Sequence, residues 1–93
     1  MEISRIIWLE DIVEKLIWKH NVEEQEVIEV LGNKPLFNFK EKGFHPGEDV
    51  YAAFGRTDTG RLLSIFFVYT QDQRAIIVSA RDMSQKEKRK YVK

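Results

Sequence analysis

The sequence contains no cysteine, only two prolines and five glycines, and no uninterrupted apolar run long enough to cross a membrane. The lack of cysteine excludes disulfides, thiolate metal sites and thiol chemistry, and it favours a reducing compartment, so we expect a cytoplasmic protein. The opening residues, MEISRIIWLEDIVEK, carry acids throughout their apolar part. We therefore predict neither a signal peptide nor a membrane span.

A chain of 93 residues has the length of one small domain. No repeat, low-complexity segment or Gly/Ser linker divides it, so we expect a single domain over residues 1–93.

The formal net charge is zero, which argues against a large nonspecific surface for polyanions. The charges are nevertheless unevenly distributed along the chain. Residues 1–31 carry eight acids and three bases, whereas residues 81–93 carry six bases and two acids. Either this asymmetry creates a local anion site near the C-terminus, or it reflects two solvated helix faces of opposite sign.

The N-terminal third predicts a short strand, ISRIIW, followed by two helices. From Glu10 to about His20, apolar residues recur at the spacing of one helix face. We expect Asn21 to cap a second helix, which Gly32 and the following Pro35 end.

The remainder of the chain predicts strands. PLFNF is a plausible short strand, and EDVYAAFG, RLLSIFFVYT and RAIIVSAR are separated by short turns, which favours an antiparallel meander. Ser84 and Glu87 have the spacing of a capping box and begin a C-terminal helix. The predicted fold class is α+β: an antiparallel sheet of three to five strands, packed on one face by the two N-terminal helices, with a C-terminal helix.

An ordered set of short motifs resembles the BrnT-type toxins of type II toxin-antitoxin systems. The motifs are Trp8 followed by Lys19-His20, then Gly47-Glu48, GRTDTGRLL at 55–63, and IIVSARDMSQKEKRKY. The resemblance covers nearly the whole chain. It implies a RelE-like fold, metal-independent cleavage of messenger RNA, and neutralisation by a DNA-binding antitoxin encoded next to the toxin.

The sequence departs from the family pattern at several positions. Leu9, Ile12 and Leu16 stand where the pattern has Asp, Lys and Asn, and Asp49 follows the glutamate in place of an arginine. Because Ile12 and Asp49 replace basic residues at positions expected to face RNA, the departures predict a divergent or weakened member.

Cleaving RNA without a metal requires a base for the 2′-OH proton, cationic donors for the phosphorane charge and an acid for the leaving 5′-oxygen. The candidate bases are Glu48 and His20, the phosphate donors are Arg56, Arg61 and Arg81, and the acids are His20, Lys19 and Tyr91. We place Arg61, Arg81, Glu48 and His20 in the catalytic set, and Lys19, Arg56 and Tyr91 in the RNA-binding set. His20 and His45 are isolated, so we expect no metal site and no cofactor.

Each candidate also has a purely structural interpretation. His20 could cap the first helix, Glu48 could be an ordinary exposed acid, and Arg56 and Arg61 flank a polar turn.

Arg81 is the strongest single candidate, because Ile77, Ser79 and Arg81 are expected to share one strand face at the end of a buried strand. A large cation there needs an anion or water. The alternatives are a salt bridge to Glu48 or Asp82, and a phosphate held at the rim of the sheet.

Most of the aromatic residues predict core packing: Trp8, Trp18, Phe66, Phe67 and Tyr69. Stacking on an RNA base would require an exposed ring beside basic residues, and among these only Trp18, near Lys19, meets that condition. A second group lies in or near a probable loop and could bind the antitoxin: Phe37, Phe39, Phe44 and His45.

Two functions remain open. One is a growth-arresting endoribonuclease toxin; the other is a non-catalytic interaction module of the same fold that acts through a DNA-binding partner in operon autoregulation.

Overall fold

The computed structural model describes residues 1–43 and 45–92. Five strands form one sheet: β1 (Arg5–Ile7), β2 (Leu36–Glu41), β3 (Asp49–Arg56), β4 (Leu62–Tyr69) and β5 (Arg74–Asp82). Three helices accompany them: α1 (Glu10–His20), α2 (Glu24–Gly32) and α3 (Gln85–Tyr91). The predicted α+β class is confirmed.

The strand order is β1-β5-β4-β3-β2. Strands β2 to β5 form the expected antiparallel meander, because each follows the last through a short connection. β1 pairs in parallel with β5, so the sheet is mixed and not wholly antiparallel. α1 and α2 connect β1 to the rest of the sheet, which gives the long connection that a parallel pairing needs.

The two faces of the sheet have different coverings. Helices α1 and α2 pack on one face, which we call the α1/α2 face, and bury Leu16, Val27 and Val30 against Ile65 and Phe67. The short helix α3 packs on one end of the opposite face, which we call the α3 face. Every candidate site residue on a strand therefore belongs to one of two chemically distinct surfaces.

The predicted N-cap of α2 is wrong. Asn21 adopts the left-handed conformation (φ 53°, ψ 42°) and ends α1, donating its backbone N–H to the carbonyl of Ile17. Asparagine tolerates this conformation better than most residues, which suits it to a helix C-terminus. At the start of α2, the backbone N–H of Glu23 instead donates to the carboxylate of Glu26 at 3.0 Å.

A β-bulge interrupts β5. Ser79 lies opposite Phe66 and Ile77 lies opposite Phe67, so Val78 is an extra residue between them. The bulge reverses the alternation of side chains. Ile77 is buried on the α1/α2 face, whereas Arg81 lies on the α3 face, where its side chain contacts Phe66. The prediction that Ile77, Ser79 and Arg81 share one face is therefore wrong.

Candidate active site

Arg81 lies near the end of β5, opposite Ser64 of β4. Its guanidinium forms a bidentate pair with Glu87 of α3, at 2.7 Å from Nη1 and 2.8 Å from Nη2, and Nη1 also donates to the carbonyl of Asp82 at 3.1 Å. The guanidinium lies 5.1 Å from the centre of the Phe66 ring. Glu87 is thus the carboxylate that pairs with Arg81, whereas the expected partners were Glu48 or Asp82.

Glu87 is held from several directions. It accepts hydrogen bonds from the Ser64 hydroxyl at 2.9 Å and from the backbone N–H of Ser84 at 2.9 Å, the latter within the predicted capping box. The Arg81 guanidinium, helped by the Ser84 and Ser64 donors, lowers the pKa of Glu87 to about 2. Glu87 therefore fixes the Arg81 guanidinium against the sheet.

The Arg81 guanidinium keeps capacity for a ligand. Its side chain is 37% exposed, and its Nε donates to no residue that the structure describes. A phosphate approaching from solvent would find a cation whose orientation is already fixed.

Arg61 lies in a different environment, on the α1/α2 face. Nε donates to Asp82 at 3.0 Å, Nη1 to Glu26 and to the Asn21 carbonyl, and Nη2 to the His20 carbonyl. The hydrogen bond to Asp82, reinforced by Glu26, raises the pKa of the Arg61 guanidinium. Arg61 joins the α1–α2 connection to the strand ends, and all three of its nitrogens are occupied.

The sheet separates the two arginines. Asp82 and Arg81 are adjacent in β5, so their side chains point to opposite faces and bind different partners. Arg61 and Arg81 are therefore not assembled around one phosphate on a single face.

Arg56 and Tyr91 are the sequence-predicted residues that accompany Arg81. Arg56 ends β3, is exposed, and lies 5.9 Å from the centre of the Tyr91 ring. Tyr91 belongs to α3 and packs beside the small buried cluster of Phe54 and Met83 on the α3 face. Arg56 makes no salt bridge to any residue in the described ranges.

His20 and Lys19 lie at the C-terminus of α1. The His20 side chain is half-buried and Lys19 is exposed. Both lie on the helix that covers the α1/α2 face, so they accompany Arg61 and not Arg81.

Glu48 lies at the far end of the sheet. It precedes β3, and because Phe54 pairs with Ser64, which in turn pairs with Arg81, about 20 Å of strand separates Glu48 from the level of Arg81. It lines a cleft of about 540 Å³ together with His45 and Val68. Glu48 and Arg81 therefore cannot contact one reacting phosphate in this conformation.

The phenylalanines predicted to bind the antitoxin differ in exposure. Phe37 belongs to β2 and is half-buried, with its ring 6.1 Å from that of Phe67. Phe39, 51% exposed, packs edge-on against Tyr51. Phe44 lies outside the described residues.

No group of three His, Cys, Asp or Glu side chains within residues 1–43 and 45–92 is arranged to hold a metal ion. No described helix is long and apolar enough to span a bilayer.

A family model for "Ribonuclease toxin, BrnT, of type II toxin-antitoxin system" matches residues 8–87. The chain belongs to the BrnT family. The resemblance drawn from the motifs is thus confirmed, and with it the assignment to a family of ribonuclease toxins whose systems include an antitoxin.

The crystal structure of the Brucella abortus ribonuclease toxin BrnT superimposes on this BrnT-family chain with a TM-score of 0.60 and 19% sequence identity. The match covers 87% of this chain and 97% of the Brucella chain. At that identity the likeness establishes the fold. None of the curated proteins compared with the chain matches it.

The departures from the BrnT pattern acquire a structural meaning. Leu16 is buried in the core and Ile12 packs against it on the α1/α2 face. Leu9 precedes α1 and is exposed. Ile12 and Leu16 therefore contribute to packing here and lie on the far side of the sheet from Arg81.

Glu87 is the site residue that sequence reasoning missed. The S-x-x-E signal identified it as a helix cap, but it gave no indication that the same carboxylate binds Arg81. The only local signal for this pair is its spacing: Arg81 and Glu87 are six residues apart across a strand-to-helix turn. Such a turn brings the helix back over the end of the strand.

Proposed function

We propose that this BrnT-family chain is a cytoplasmic toxin that cleaves messenger RNA without a metal ion and is neutralised by a DNA-binding antitoxin. The observation that carries the proposal is the Arg81 guanidinium, which is fixed by Glu87 and remains accessible through Nε. Membership of the BrnT family supports the ribonuclease class of the reaction.

In the proposed reaction, the 2′-oxygen of a ribose forms a bond to the adjacent phosphorus while the bond from phosphorus to the 5′-oxygen breaks. The products are a 2′,3′-cyclic phosphate and a 5′-hydroxyl. Arg81 stabilises the negative charge that accumulates on the phosphorane oxygens, because its orientation costs no reorganisation during the reaction. Arg56, at the end of β3 two strands away, holds a phosphate of the same RNA strand.

Proton transfer is assigned to the same face of the sheet. We propose that the Tyr91 hydroxyl donates the proton that the leaving 5′-oxygen requires, since its ring lies beside Arg56. The proton of the 2′-OH passes to solvent. Glu48 and His20 are given no part in this step, because one lies at the far end of the sheet and the other lies on its opposite face.

The test is cleavage of a messenger RNA by the purified full chain in excess EDTA. Arg81→Ala should lower the rate about a hundredfold, the typical cost of losing one preorganised transition-state donor. Arg81→Lys should rescue poorly, because lysine lacks the planar fork that Glu87 orients.

Arg74→Ala is the matched control, since Arg74 pairs with Asp72 in the turn at the other end of β5. It should cleave like the wild type. Folding of each variant is verified by circular dichroism. A folded Arg81→Ala protein that cleaves at the wild-type rate would make Arg81 structural.

The second candidate function, a non-catalytic interaction module, is favoured by one specific observation. Carboxylates already occupy both arginines expected to act together: Glu87 binds Arg81, and Asp82 and Glu26 bind Arg61. If the wild-type protein is folded and binds its antitoxin but leaves RNA intact, the interaction module becomes the better description.

A further inference from the structure

Trp18 is the most exposed large apolar side chain of the helices, with 77% of its surface accessible. It lies two residues after Leu16, which is 2% exposed, and two residues turn an α-helix by about 200°. Trp18 therefore projects directly away from the core. Fold stability gives no reason for a tryptophan at this position.

Ile17, 51% exposed, extends the apolar surface on the same helix. The helix that carries both residues is firmly anchored. Arg61 donates to the carbonyl of His20 at 3.1 Å and to that of Asn21 at 2.7 Å, immediately after the last turn of α1. Trp18 is thus an exposed aromatic anchor on a firmly held helix, and tryptophans often dominate the binding energy of protein interfaces.

Charged residues of both signs flank this anchor. Glu14 and Asp11 lie one and two turns earlier on the outward side of α1, are exposed, and make no salt bridge to any described residue. Lys15 and Lys19 are exposed beside them. The chain up to residue 31 carries eight acids and three bases. This surplus of acids gives the N-terminal third a net negative field, which disfavours the phosphates of RNA and favours a basic partner.

We infer that the outward face of α1, formed by Asp11, Glu14, Ile17 and Trp18, is the docking surface for a basic amphipathic segment of the antitoxin. The segment inserts apolar side chains around Trp18 and Ile17, while its lysines or arginines face Asp11 and Glu14. The inference rests on the proposed function for the existence of the antitoxin. It adds the surface and the chemistry of the partner.

The surface lies on the helices that cover the α1/α2 face, away from Arg81. An antitoxin bound only here would leave Arg81 uncovered. Neutralisation would then require a further part of the partner to reach the α3 face.

The experiment measures binding of the full chain to the purified product of the adjacent gene, by titration at two salt concentrations. Trp18→Ala should weaken binding by about 30-fold or more, as expected for an interfacial tryptophan. The double variant Asp11→Asn, Glu14→Gln should also weaken binding and should abolish its salt dependence. Since all three side chains are exposed, the variants should keep the wild-type melting temperature.

Ile28→Ser is the matched control, because Ile28 is an exposed isoleucine like Ile17 but lies on α2. It should bind like the wild type. A second measurement leaves Trp18 intact: in a Trp8→Phe variant the remaining tryptophan fluorescence should shift to shorter wavelength when the partner binds.

Unchanged binding by Trp18→Ala, loss of binding by Ile28→Ser, or no complex with the wild type would each overturn the inference. A Trp18→Ala protein that binds the antitoxin normally but cleaves RNA slowly would assign Trp18 to RNA. Because binding is measured without cleavage, an inactive wild type that still binds through Trp18 would refute only the proposed ribonuclease activity.

Discussion

Replacing Glu87 by glutamine removes one negative charge from a site where Arg81, Ser64 and the N-terminus of α3 all depend on it. The side chain is 13% exposed and is bonded to Arg81 at 2.7 Å and 2.8 Å. Glutamine has nearly the same shape and retains one oxygen that can accept from Ser64 or Ser84. The change therefore isolates the charge from the packing.

The magnitude follows from the pKa of Glu87, which falls from its ordinary 4.5 to about 2 in the folded protein. Linkage converts that difference into a stabilisation of roughly 3.4 kcal/mol at most. Because the side chain of its partner Arg81 is 37% exposed and solvent screens the pair, we expect about 1.5–2 kcal/mol. In a domain of this size that corresponds to a loss of roughly 6–16 °C in melting temperature.

The sign of the pH dependence is fixed by the direction of the shift. A carboxyl whose pKa is lowered by folding contributes stability that is fully present above about pH 4.5 and is lost as the pH falls toward about 2. The difference in unfolding free energy between wild type and Glu87→Gln should therefore be largest near about pH 7 and should shrink below about pH 4.5.

Urea denaturation followed by circular dichroism, at about pH 7 and about pH 3.5, measures this difference. Glu14→Gln, an exposed glutamate within α1, serves as the control and should change the free energy of unfolding by less than about 0.5 kcal/mol. A Glu87→Gln protein as stable as wild type at neutral pH, or a difference that stays constant across the range, would refute the reasoning.

Three further predictions concern stability. Arg61→Ala should lower the free energy of unfolding by about 2 kcal/mol in chemical denaturation, because it leaves the Glu26 carboxylate without its cation and two backbone carbonyls without a donor. A free energy of unfolding equal to that of the wild type would contradict this. Ser84→Ala should lower the free energy of unfolding by about 1 kcal/mol in the same assay, because α3 loses its cap. A change near zero would show that the cap does not stabilise the fold. Asn21→Val should destabilise by about 1–2 kcal/mol while Asn21→Gly stays near wild type, and equal effects would show that the left-handed conformation is not limiting.

The sequence predicted the elements well where the local signal was strong. RLLSIFFVYT became the central strand β4 because a run of β-branched and aromatic residues suits a strand buried on both faces. Ser84 and Glu87 formed the predicted capping box. α1 has the predicted bounds because its apolar spacing ends at a residue suited to the left-handed conformation.

The errors arose where one residue type satisfies two roles, or where the decisive contact is distant. Asparagine is common at both helix ends, so Asn21 was assigned to the wrong helix. Nothing local in IIVSAR signals the extra residue at Val78, since the bulge depends on pairing with β4. The prediction that Trp18 packs in the core is wrong, since its side chain is 77% exposed; its spacing to Leu16 could have shown the outward direction.

Val78 also bears on how this chain should be aligned with its relatives. Before Val78, the odd-numbered residues of β5 face the helices α1 and α2, as Ile77 does. After Val78, the odd-numbered residues face the opposite side of the sheet, as Arg81 does. A relative lacking one residue in this segment, aligned without a gap, would appear to keep its arginine while directing it into the core. The arginine of a relative should therefore be compared with Arg81 by counting residues from the bulge.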